Sequence, residues 1–319
     1  MKIPGEIYIR ETGRFLPPAR RVDSISEDGA TPQNIARVGY QHFTESVDIP
    51  ATVMAEKAVR EALSRSDCAP DAISAVILAT FDETEHMAPV CYLQRVLGIP
   101  GALAFELGAA SNGGAMGLEV GATWLAGTPG ADAALVCAAG RYPSPRWGRW
   151  NPGLFMGDGA AAVVLSRSHG IARMVAVRYR SIPDLEVFAL GQVDAGGRLL
   201  LSGMDSGFWP HLRTIAAEVK EVVFQLLEEN ATEISKITAF AITGMGLPTT
   251  SLTILDPLDI PLEKTSWPFL RNTGHVGPCD QLLGLDYILH ETAVSKGDKI
   301  LVIGVGLGFR IICILLEVC

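Results

Sequence analysis

The chain has 319 residues, 48% apolar and 19% charged, with a formal net charge of −9. This composition excludes a disordered chain and indicates a large buried core, in one α/β domain or two fused half-domains. The acidic balance argues against nucleic acid as a partner, and the six cysteines have no metal-ligand or CxxC spacing.

The first residues, Met1 to Glu6, lack the apolar core of a signal peptide. With no paired cysteine pattern, a cytoplasmic protein with reduced thiols is expected. Residues 1–20 read as a strand and a turn, and 21–50 show no clear period. Ala51 to Ser66 has Val53, Met54, Ala58, Val59, Ala62 and Leu63 on one face, predicting an amphipathic helix. Ala75 to Thr80 is a continuous apolar run, the signature of a strand covered on both faces. A second helix is predicted over 89–97, ending at Gly98. A buried strand is predicted over 102–107.

That strand turns sharply at Gly108-Ala-Ala-Ser111-Asn into a helix predicted over 115–126. Small neighbours allow close approach to the one side chain at the bend, and the N–H groups of the helix start favour negative charge there. Ser111 is therefore either a helix cap or a nucleophile. Another buried strand is predicted over 133–139. Residues 141–151 gather Arg141, Arg146 and Arg149 with Trp147 and Trp150, which reads either as a solvated loop or as a contact for adenine and phosphate. Asp158, between two glycines, reads as a turn stabiliser ahead of a strand ending at Leu165.

The second part repeats the order of elements. A long amphipathic helix is predicted over 212–229 and a strand over 237–243. A glycine-bearing loop around His275 then enters a helix running to about Ser295, and a strand follows over 297–304. The apolar tail from Lys299 is broken by Gly304, Gly306, Gly308 and Arg310, which predicts strand–turn–strand rather than a membrane span. Thr80 and Thr243 lie 163 positions apart, Ser111 and His275 164, and Asp132 and Asp298 166. The Ser111 bend and the His275 loop thus occupy equivalent places in two βα repeats, 1–166 and 167–319. Packed about a pseudo-twofold axis, the two bends face one centre. Asp280, five residues beyond His275, is placed to fix the imidazole tautomer, so Ser111, His275 and Asp280 form a nucleophile, base and orienter set.

These residues resemble the ketoacyl-acyl carrier protein synthase III family. The resemblance rests on Phe105-Glu-Leu-Gly-Ala-Ala-Ser-Asn-Gly-Gly, on Phe155-Met-Gly-Asp-Gly-Ala-Ala-Ala-Val-Val-Leu, and on Gly297-Asp-Lys-Ile-Leu-Val with Gly306-Leu-Gly-Phe. It implies a thiolase-like α/β fold, two duplicated halves stacked as α-β-α-β-α layers. The family nucleophile is usually Cys, where this chain has Ser111. The family's decarboxylating His falls on Gly244, and its active-site Asn falls on His275. What remains is similar to the antibiotic-pathway branch with Ser/Cys–His–Asp triads, which contains acyltransferases and starter-unit ketosynthases.

The resemblance implies an acyltransferase taking an acyl group from a coenzyme A or acyl carrier protein thioester, with no permanently bound cofactor. It implies an oxyanion hole from the backbone of Ser111 and the Gly306-Leu307 turn. It implies a homodimer in which Met87 lines the partner's acyl pocket. Substrate contacts are expected from Met87, Arg149, Trp150 and Gly244. The alternatives are a starter-unit synthase performing decarboxylative condensation, a non-catalytic homologue and a hydrolase. No membrane association is expected.

Overall fold

The computed structural model describes residues 2–27, 30–81, 86–144, 146–151, 153–193, 195–197, 199–202 and 209–319. Its strands are β1 (Lys2–Phe15), β2 (Ile73–Phe81), β3 (Leu103–Glu106), β4 (Ala133–Gly140), β5 (Gly159–Ser166), β6 (Ala172–Ser181), β7 (Ile237–Ile242), β8 (Lys299–Gly306) and β9 (Arg310–Val318). Among the described residues these nine form one sheet, in the order β7-β8-β9-β6-β1-β5-β4-β2-β3.

The main helices are α1 (Ala51–Ser66), α2 (Pro89–Leu97), α3 (Gly113–Gly127), α4 (Leu212–Glu229) and α5 (Asp280–Glu291). Helix α1 packs on β1, β4 and β5, and α4 packs on β6 and β9. Between them, α3 and α5 pack on each other and reach strands of both halves. The layers thus run helix, half-sheet, helix pair, half-sheet, helix.

The repeat is explicit in the pairing. In the first half β2 and β4 are parallel, β4 and β5 antiparallel, and β5 and β1 antiparallel. In the second half β7 and β8, β8 and β9, and β9 and β6 repeat that pattern. The halves join where β1 pairs antiparallel with β6, and residues 167–171 connect β5 to β6. The counterpart of β3 in the second half is a single bridge between Phe240 and Thr265.

Every residue of β4 and β5 is buried, as continuous apolar runs covered on both faces require. Each fully buried Val, Leu or Ile contributes about 1.5–3 kcal/mol against exposure, before the chain's conformational entropy is counted. The face of α3 that carries Gly113, Gly114, Gly117 and Gly121 is buried, and Gly114 lies directly against Leu282 of α5. A bulkier side chain at Gly114 would push α3 from α5, and at Gly117 or Gly121 it would meet Val136 or Leu165 and push α3 off the sheet.

Two expectations need correction, and a third holds. The strand expected to be buried over 102–107 is the edge strand β3, with Leu103 45% exposed, because it has a neighbour on one side only. The helix after the His275 loop stops at Glu291, where Thr292 turns extended, rather than at Ser295. Among the described residues, no helix is long and apolar enough to cross a membrane, and the tail is the hairpin β8–β9.

Candidate active site

Ser111 lies in a single 3-10 turn, Ala110–Asn112, between β3 and α3. Ala110 has φ +47, the left-handed region that costs a non-glycine residue energy. The sharp bend leaves Ser111 half-buried with its hydroxyl pointing at His275: Oγ lies 2.9 Å from Nε2. Asn112, not Ser111, occupies the cap position of α3 and makes no side-chain cap bond there. The cap reading of Ser111 is therefore replaced.

His275 is fixed by its backbone before its ring is considered. Its N–H donates to the Phe155 carbonyl at 2.6 Å, and its carbonyl accepts from the Gly157 N–H at 2.9 Å. Its Nδ1 is 2.6 Å from Oδ2 of Asp280. Asp280 is fully buried at the first position of α5, where its charge also suits the positive helix start. Its Oδ1 accepts the Val276 N–H and its Oδ2 the Gly244 N–H, both at 2.8 Å. A carboxylate only accepts, so the imidazole carries its proton on Nδ1 and turns a free Nε2 lone pair to Ser111. Ser111, His275 and Asp280 form one connected hydrogen-bonded chain, the arrangement a nucleophile, base and orienter require.

Two further side chains brace the bend. Gln281 Nε2 donates to the Ser111 carbonyl at 3.0 Å and to Thr243 Oγ1 at 2.5 Å. Asn112 Nδ2 donates to the Arg310 carbonyl at 2.6 Å. Asn112 is pressed so closely onto β8 that a Cβ on Gly304 would lie 2.6 Å from its Oδ1. The expected oxyanion donors, Ser111 and the Gly306-Leu307 turn, therefore lie on two segments packed against one another. Cys279, beside Asp280, is no competing nucleophile: burial first, and then the Asp280 charge, push its thiol pKa well up.

The basic stretch behaves differently from expectation. Arg149 is buried, and its guanidinium forms a two-pronged pair with Asp158, each bond 2.7 Å, with Glu45 3.3 Å from Nε. Asp158 also accepts the N–H groups of Ser46 and Tyr142. Burial works against the Arg149 charge, but Asp158 and Glu45 more than offset it and raise its pKa. Trp150 is buried edge-on to Phe155. Both residues instead brace the 155–158 segment, to whose Phe155 carbonyl and Gly157 N–H the His275 backbone is bonded. Gly244, also expected at the substrate, gives its N–H to Asp280 and its carbonyl accepts from Tyr40. Met87 is fully exposed in the single chain and forms no wall of its own site.

Tyr40, Gln281 and Asn112 were not legible as site residues in the sequence. Their roles depend on contacts between distant segments, and no local spacing announces them.

The match to the 3-oxoacyl-(acyl-carrier-protein) synthase III C-terminal family model covers residues 227–318. The β-ketoacyl-acyl carrier protein synthase III of Aquifex aeolicus is 24% identical over 273 residues, 85% of each chain. The solved structure of the acyltransferase ChlB3 is similar at a TM-score of 0.89 and 30% identity, over 98% of both chains. The chain belongs to the ketoacyl-acyl carrier protein synthase III-like family. The priming β-ketosynthase of the R1128 polyketide pathway, at 20% identity and a TM-score of 0.82 over 100% of this chain and 98% of that one, shares the same thiolase fold. The relatives matched are enzymes that condense or transfer acyl groups.

Proposed function

We propose that the protein is an acyltransferase working through an acyl-Ser111 intermediate. The observation that carries this reading is the continuous chain from Ser111 through His275 to Asp280, at 2.9 and 2.6 Å. A serine hydroxyl is a weak nucleophile at neutral pH and needs such a base. The likeness to ChlB3, an acyltransferase, supports the same reading.

An acyl thioester of coenzyme A or a carrier protein enters by its pantetheine arm. His275 Nε2 takes the Ser111 proton as Oγ attacks the thioester carbonyl. The oxyanion rests on N–H groups of Ser111 and the Gly306-Leu307 turn. Collapse breaks the carbon–sulfur bond, and the departing thiolate takes the proton from His275. In the second half His275 deprotonates an acceptor thiol or hydroxyl as it attacks the ester, and returns that proton to the Ser111 oxygen as it leaves. In a homodimer Met87 lines the partner's acyl pocket. A role in polyketide or antibiotic biosynthesis, in the cytoplasm, fits the set of relatives.

Decarboxylative condensation is disfavoured because Gly244 has no side chain to stabilise an enolate as carbon dioxide leaves. The test supplies a labelled acyl thioester together with a holo carrier protein and a malonyl carrier protein, each carrier weighed by intact mass. Label on the holo carrier, without ketoacyl product, supports transfer. A labelled ketoacyl carrier contradicts it, and labelled free acid alone assigns a hydrolase.

A further inference from the structure

Tyr40 lies in the first half of the chain, far in sequence from the triad's carboxylate, yet it is tied to it through one turn. Its ring is buried, tilted against Trp267 at 5.1 Å and edge-on to Phe155 at 6.2 Å. Its hydroxyl donates to the Gly244 carbonyl at 2.7 Å and accepts the Gly246 N–H at 3.1 Å. The turn between those two glycines is thus closed from behind by one phenol.

Its other contacts leave it little freedom. Gly246 has φ +72, and a Cβ there would lie 2.0 Å from the Gly153 carbonyl oxygen. Gly244 N–H donates to Asp280 Oδ2 at 2.8 Å, and a Cβ on Gly244 would stand 3.3 Å from that same oxygen. A shift of the backbone at Gly244, whose carbonyl Tyr40 holds and whose N–H meets Asp280, would therefore displace one of the two backbone donors that aim the carboxylate at His275. Burial, reinforced by the Asp280 charge, pushes the Tyr40 pKa well above its usual value, so the phenol stays a donor throughout the working pH range.

We propose that Tyr40 is a positioning residue for the catalytic carboxylate: it fixes the Gly244–Gly246 turn whose N–H holds Asp280 Oδ2, and Gly244 keeps that place free of a side chain. The assignment rests on the Ser111–His275–Asp280 reading of the site. A residue that acts through Asp280 matters only while Asp280 does its work. A residue that merely supports the fold matters equally without it.

The test is a double-mutant cycle of Tyr40→Phe with Asp280→Asn, read by the rate at which an alkyl fluorophosphonate labels Ser111 in the full-length protein. This probe reports activation of the hydroxyl without needing the natural acyl group. Tyr40→Phe should lower the limiting labelling rate about tenfold, the loss expected from one buried hydrogen bond, with the half-saturating probe concentration unchanged. In the Asp280→Asn background the same substitution should change the rate by less than about twofold. Gly244→Ala, which presses on Oδ2, should follow the same pattern and serves if Tyr40→Phe fails to fold. Equal losses in both backgrounds, or no labelling of Ser111 in the parent, would overturn the assignment. If the cycle holds but no acyl thioester acylates Ser111, the positioning role stands and the acyltransferase reading fails.

Discussion

His275 donates from Nδ1 to Oδ2 of Asp280 at 2.6 Å, across the single turn that joins the His275 loop to α5. The imidazole and the carboxylate thus come from one short segment, while the Ser111 hydroxyl arrives from the other half of the chain. Asp280→Asn keeps the shape but presents an N–H or a neutral carbonyl to the imidazole, and so loses control of the tautomer. Acylation of Ser111 is expected to fall by about 10³–10⁴-fold, as in serine enzymes with the same arrangement. Single-turnover acylation with thermal unfolding as a control checks this, and a loss below tenfold would deny Asp280 its orienting role.

Arg149 is paired with the buried Asp158. Arg149→Ala leaves a buried carboxylate with its principal cation gone, a change that costs about 3–5 kcal/mol. Chemical denaturation is expected to show that loss. The affinity of the folded fraction for coenzyme A thioesters should be unchanged. A stable variant with weakened thioester binding would return Arg149 to the substrate site.

Glu119 lies in the middle of α3, where burial raises its carboxyl pKa, opposed by a hydrogen bond from Thr123. The folded state therefore binds the proton more tightly than the unfolded chain does. Its contribution is fully present below the unfolded carboxyl pKa and is lost as pH rises through the higher folded value. Glu119→Gln should melt higher than the parent at pH 8, with the gap closing toward pH 4. A gap that stays constant with pH would show that the charge of Glu119 is not what costs stability.

Much of this architecture is written locally in the chain. The amphipathic period of 51–66 and 212–229 and the apolar runs of β2, β4 and β8 fix their elements by side-chain spacing alone. The repeat offset of 164 placed Ser111 opposite His275, and the structure brings their side chains together. What spacing cannot carry is the direction a side chain takes. Arg149 reads as an exposed cation because the carboxylate that buries it, Asp158, meets it only after the 141–158 segment has folded back. Tyr40 carries no local signal, because its partners, Gly244 and Gly246, lie in the other half. The edge position of β3 was hidden for the same reason: an apolar run states what a strand prefers, not how many neighbours it receives.

The central claim is that Ser111 carries the acyl group. The most direct measurement is a rapid-quench reaction of the purified protein with an acyl thioester, in the absence of any acceptor, followed by intact and peptide mass analysis. The account predicts a mass increase of one acyl group on the peptide bearing Ser111, absent in Ser111→Ala and restored to the unmodified mass when an acceptor is added. Acylation on any other residue, or turnover that persists undiminished in Ser111→Ala, would contradict it.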